Sequence, residues 1–111
     1  MSTNTIGEKL RQLREQHKLP LRKVAVLLDI DVAILSKLER GQRKLTKETA
    51  LKLAEIYNYS ASELMVLYLS DRIIHEIKDE EMGEAALKAA EDRMRYLKSE
   101  RSELMIEKQS D

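Results

Sequence analysis

The chain has 111 residues, 20 basic and 20 acidic side chains and no cysteine. That length supports one core of modest size, the missing thiols exclude disulfides and thiolate metal sites, and His17 and His75 lie too far apart to act as a ligand pair, so no metal, cofactor or enzymatic activity is expected. The N-terminus carries no apolar leader and no stretch approaches the roughly 20 apolar residues of a membrane span, which predicts a cytoplasmic protein with no membrane partner.

In chain order, the first apolar period, Ile6, Leu10 and Leu13, predicts a helix over about 6–17 capped by Thr5 or Thr3. Lys18-Leu19-Pro20 breaks it, and a second helix follows over 21–28 with Val24, Ala25 and Leu28 inward. Only Asp29-Ile30-Asp31 separates this from a third helix starting at Val32. So short a joint forces a sharp crossing, and Ala25 is small where the two helices must approach. On the wheel of the third helix, Ile34, Leu35 and Leu38 form the core side, and Val32, Ala33, Ser36, Lys37 and Arg40 the other. Gly41 ends it, the basic loop Gln42-Arg43-Lys44 follows, and Thr46 caps a fourth helix over 47–57 that offers Ala50, Leu51, Leu53, Ala54 and Tyr57 to the core.

Ser60-x-x-Glu63 is a capping box for a fifth helix. Met65, Leu69, Ile73 and Ile77 keep helical spacing, so it runs on, or restarts at Ser70, to about Lys78. After Asp79-Glu80-Glu81 and Gly83, a last helix covers 83–100 or more, with a polar, frayed end over the final ten residues. Leu87, Ala90, Met94, Leu97 and Leu104 follow an a/d pattern, interrupted by Arg101. Such a seam either pairs with a second copy or packs back on the chain's own first domain.

The net charge of zero conceals a division. Residues 18–52 hold nine basic and four acidic residues, a balance of +5, and residues 70–111 hold eight basic and twelve acidic, a balance of −4. A basic head joined to an acidic tail is one signature of a nucleic-acid binder with a second module.

Leu19, Val24-Ala25, Leu28, Ile30, Leu35-Ser36, Leu38-Glu39-Arg40-Gly41, Thr49, Leu51-x-Leu53-Ala54 and Ser60-x-x-Glu63-Leu64 together resemble the lambda-repressor/Cro-like, or XRE, family over roughly residues 6–68. The resemblance implies an all-α fold with a five-helix DNA-binding domain over 1–68, and the apolar pattern that continues beyond it marks 69–111 as a helical extension and the candidate dimerisation segment. Two positions depart from the family pattern: Leu21 stands where Gln is usual, and Asp29 stands where the turn usually has Gly. The first removes a familiar polar contact to DNA. The second is tolerated because Asp is among the few non-glycine residues that visit positive φ.

The resemblance further implies that the third helix reads DNA, its N-terminal end reaching base edges. Val32 and Ala33 there suit thymine methyl groups, and Ser36 and Lys37 supply polar base contacts. Arg22, Lys23, Arg40, Gln42, Arg43, Lys44 and Lys47 are the expected phosphate contacts, with the free amides at the start of the fourth helix completing a backbone clamp. Glu39 is implied to pair with Arg14 as a structural link between the first and third helices. The function expected is a sequence-specific transcriptional regulator, of repressor type, binding double-stranded DNA as a homodimer on a near-palindromic operator through a seam of Leu87, Ala90, Met94 and Leu97. The alternative is an adaptor, such as an antitoxin, that binds a protein partner through its acidic C-terminal helices.

Overall fold

The computed structural model describes residues 4–109, with side chains as far as Leu104. They form six helices and, among the described residues, no strand: α1 (Ile6–Gln16), α2 (Leu21–Leu28), α3 (Val32–Glu39), α4 (Lys47–Ile56), α5 (Ala61–Ile77) and α6 (Gly83–Gln109). The chain divides into two compact units, Met1–Ile73 and Ile74–Asp111. No described helix is long and apolar enough to cross a membrane.

The helix ends of the first unit repeat one device. Lys18, Asp29, Gly41 and Asn58 adopt left-handed φ values of 55°, 56°, 73° and 48°. In each case the next residue donates its amide five residues back, Leu19 to Arg14 O at 3.1 Å, Ile30 to Ala25 O at 3.0 Å, Gln42 to Lys37 O at 2.8 Å and Tyr59 to Ala54 O at 2.8 Å. These are Schellman closures, which satisfy carbonyls that a helix end leaves open. Three of the closing residues, Leu19, Ile30 and Tyr59, pack on the core. The fourth is Gln42, polar and exposed, so the loop after α3 stays outward through Lys44 and meets the core only at Leu45. Starts are equally local: Thr5 accepts from the amide of Glu8, Thr46 from Thr49 and Ser60 from Glu63. Thr3 lies outside the described residues.

The core joins all five helices of this unit through Leu10, Leu13, Val24, Leu28, Leu35, Leu53, Tyr57 and Leu64. Two expected core positions differ. Ile34 is half-buried and Leu51 is 42% exposed, because each sits at the edge of its helix's apolar arc while Leu35, Leu38 and Leu53 hold the centre. Helix α5 continues through Ser70 without a break. Its Met65, Leu67 and Tyr68 face the core, whereas Val66, Leu69 and Ile73 are exposed on the opposite side. Asp71 on α5 accepts the amide of Ile6 at 3.0 Å, so an acidic side chain meets the positive end of α1. This contact lies beyond residue 68.

In the second unit, Gly83 begins α6 with no room for a side chain, since a Cβ would lie 2.5 Å from the carbonyl oxygen of Ile77. Helix α6 is solvent-exposed along its described side chains apart from half-buried Leu87. The expected frayed end falls partly on residues 110–111, outside the described residues, and 102–109 continue the helix.

The backbones of α1 and α3 approach closely at Gly7, where a Cβ would lie 2.5 Å from Glu39 O and 2.8 Å from Leu38 O. Glycine inside a helix ordinarily costs about 1 kcal/mol relative to alanine. Here the sign should reverse: Gly7→Ala should lower stability by about 1–3 kcal/mol through overpacking against rigid backbone. Urea denaturation measures it, and a stabilised variant would refute the close approach.

Candidate nucleic-acid interface

Helix α3 packs on both α1 and α2. The α2–α3 joint works because Asp29, at φ 56° and ψ 48°, reverses the chain in the left-handed region that glycine would otherwise fill. Leu21, where a glutamine was the usual expectation, is half-buried and packs against the core, so this position anchors α2 and offers no polar group outward.

The outer side of α3 carries Val32, Ala33, Lys37 and Arg40 exposed, with Ser36 half-buried between them. Val32 is 43% exposed although apolar. Arg40 folds back along its own helix, its Nε donating to Ser36 O at 3.3 Å.

The flanks of this face are cationic. Arg22 and Lys23 are exposed on the first turn of α2, Gln42, Arg43 and Lys44 are exposed in the loop after α3, and Lys47 is exposed on the first turn of α4. Among the described residues the ion pairs engage Arg11, Arg14, Lys52 and Arg95, and none engages these five cations or Lys37. Their charge is therefore not neutralised internally. Thr46 takes the amide of Thr49, while those of Lys47 and Glu48 have no acceptor within the helix, as in any first turn. Glu48 is directed to Lys52 at 3.6 Å, though both are exposed and the pair is weak.

Beneath this face lies the link that orients it. Arg14 Nε donates to Glu39 Oε2 at 2.8 Å and Nη2 to Oε1 at 3.1 Å, a bidentate fork, while Nη1 reaches Leu19 O at 3.0 Å. One guanidinium thus ties α1 to the last residue of α3 and to the turn that leads into α2. The side chains are 13% and 4% exposed. The hydrogen bond that Arg14 donates to Glu39 raises the pKa of Arg14, and burial opposes it only partly. Tyr57 closes the same region, its ring 5.7 Å from that of His17. Burial, helped by the charge of Glu39, pushes the Tyr57 phenol up to about 12.

Three contributors escaped the sequence. Gly7 had a readable signal, a glycine among good helix formers. Asp71 and the Leu19 carbonyl had none, because their partners are 65 and 5 residues away and set by tertiary placement. Leu87, Ala90, Met94 and Leu97 lie on α6, in the second unit.

Residues 10–64 match the helix-turn-helix family model. The chain belongs to the helix-turn-helix family. Its type is XRE, and its all-α, lambda-repressor-like fold follows the same match. The chain is also similar to the HTH-type transcriptional regulator DdrOP3 of Deinococcus deserti, 38% identical over 58 residues, which is 52% of this chain and 45% of that protein. It therefore spans less than half the length of that curated relative. The matched span of this helix-turn-helix chain takes in Arg14 and Glu39, the outer face of α3 and the basic loop. It ends at buried Leu64, so Asp71 and α6 lie beyond it.

A double-mutant cycle should expose the Arg14–Glu39 link. Removing either side chain alone leaves a charge uncompensated and should cost about 3–5 kcal/mol, while joint replacement by apolar residues recovers much of it. Additive losses in thermal or urea unfolding would show that the two groups do not support one another.

Proposed function

We propose that this protein is a sequence-specific DNA-binding transcriptional regulator that acts as a homodimer on a near-palindromic operator. The observation that carries this reading is the exposed face of α3, part apolar and part polar, set between cations with no internal counter-charge. In this reading Val32 and Ala33 meet thymine methyl groups, and Ser36 and Lys37 make polar contacts to base edges. Arg22, Lys23, Arg40, Gln42, Arg43, Lys44 and Lys47 hold phosphates on either side and fix the register of the helix in the groove. A single such domain covers one half-site, and specific affinity calls for two about one helical turn apart. The exposed seam on α6 is the surface proposed to join the two copies. Regulation by repression, a cytoplasmic site of action and a domain division near residue 68 complete the proposal. The exposed Met94, Tyr96 and Leu97 on a highly charged helix favour a second reading, in which α6 holds a different protein.

Two measurements separate positioning contacts from reading contacts. Arg43→Ala or Lys44→Ala should weaken binding to all duplexes alike and lower the slope of log affinity against log salt by about one unit per lost contact. A shifted sequence preference with an unchanged slope would move these residues out of the phosphate class. Val32→Ser, by contrast, should cost about 1–3 kcal/mol on the preferred operator and relax selectivity at one base position. Selection of bound sites from random duplexes, run on both proteins, gives the comparison. Identical preferences would put the reading face elsewhere.

A further inference from the structure

We infer that α6 pairs with α6 of a second copy in an antiparallel arrangement, centred on layers in which Met94 of one copy meets Leu97 of the other. The inference rests on the homodimer reading above and specifies its geometry and its charge code.

The seam consists of Leu87, Ala90, Met94, Leu97, Arg101 and Leu104, spaced alternately three and four residues apart along one side of α6. Met94, Leu97 and Leu104 are 66%, 51% and 58% exposed, and Ala90 and Arg101 are exposed as well. A parallel, in-register pair would set Arg101 against Arg101 of the partner subunit in the middle of the apolar seam. An antiparallel pair centred as stated matches Leu87 with the partner's Leu104, Met94 with the partner's Leu97, and Ala90 with the partner's Arg101. The methyl of Ala90 leaves room for the arginine stem to lie across the seam while its head reaches water.

The flanking charges make the same choice. In a parallel pair, flanking contacts join each residue to one five positions on in the other helix, which sets Arg93 beside the partner's Lys98, a like-charge contact repeated twice by symmetry. In the antiparallel pair each flank meets its own counterpart. Glu91 then faces the partner's Lys98 and Arg93 faces the partner's Glu100, so four opposite-charge contacts replace two repulsions. Register is also selected. Sliding one heptad in one direction opposes Glu91 to Glu91 and Arg93 to Arg93 of the two copies. Sliding the other way opposes Lys98 to Lys98 and Glu100 to Glu100. These four groups are exposed, and the internal contact among them is the Tyr96 hydroxyl donating to Glu100 Oε1 at 3.3 Å, which leaves Oε2 available.

Sedimentation equilibrium of the full chain and its charge variants decides the matter. Glu91→Lys and Lys98→Glu should each weaken the dimer about three- to tenfold, and the double variant should return it to within about twofold of the parent. In a parallel pair Lys98→Glu would instead tighten the dimer, by relieving its contact with Arg93, and that outcome overturns the inference. So does insensitivity of a real dimer to all three variants. A parent chain that stays monomeric at about 100 μM fails earlier, at the homodimer reading itself. A second readout is independent of affinity. The chain has no cysteine, so Ala85→Cys carries a single spin label. Two such labels should lie more than about 32 Å apart if the helices are antiparallel, against roughly 20 Å if they are parallel, because position 85 faces away from the seam on both copies. The short distance overturns the inference.

Discussion

The placement of α3 depends on the close approach of its C-terminal end to α1. Gly7 lets the two backbones come within a distance that no side chain would allow, and the Arg14–Glu39 fork locks the approach from about two turns further along α1. The two act differently. Gly7 removes an obstacle and has no directional preference, whereas the planar guanidinium accepts the carboxylate in one orientation and so fixes the rotation of α3 about its axis. A buried pair of this kind contributes less to net stability than to the definition of a single arrangement. Rotation decides which side chains α3 presents, because a small roll would carry Val32 and Lys37 away from the surface they now share.

Around this fixed element the chain distributes two kinds of ending. After α1, α2 and α4, the left-handed turn is followed by an apolar residue that packs on the core and holds the chain in place. After α3 the same turn is followed by Gln42, Arg43 and Lys44, all exposed. The backbone hydrogen bonding is alike in the four cases, so the side chain after the turn decides whether the chain packs on the core at once or stays exposed until Leu45. A stiff backbone carrying free cations suits phosphate contact, since little order remains to be lost on binding.

The second unit follows another logic. Most described side chains of α6 meet solvent, yet Leu87, Met94, Leu97 and Leu104 share one stripe, and charges of both signs lie beside it. A helix of this kind gains little by itself, and most helical stability in proteins comes from covering an apolar face. The charges contribute little energy as single exposed contacts, but they differ in sign between competing alignments, and such differences determine orientation.

How much of this was legible in the sequence follows from the range of the forces involved. The six helices, the caps at Thr5, Thr46 and Ser60, the left-handed Asp29 and the outward side of α3 come from interactions within a few residues, and periodicity and capping chemistry record them directly. The Arg14–Glu39 pair was visible through family likeness, because no local pattern links residues 25 positions apart. Only the tertiary structure decided that Ile34 and Leu51 sit at the margin of the core, since a helical wheel gives the direction of a side chain and not how far the neighbouring helix extends to cover it. It alone decided that Gly7 is a point of contact and that Asp71 meets the amide of Ile6, because both depend on where a separate helix ends in space.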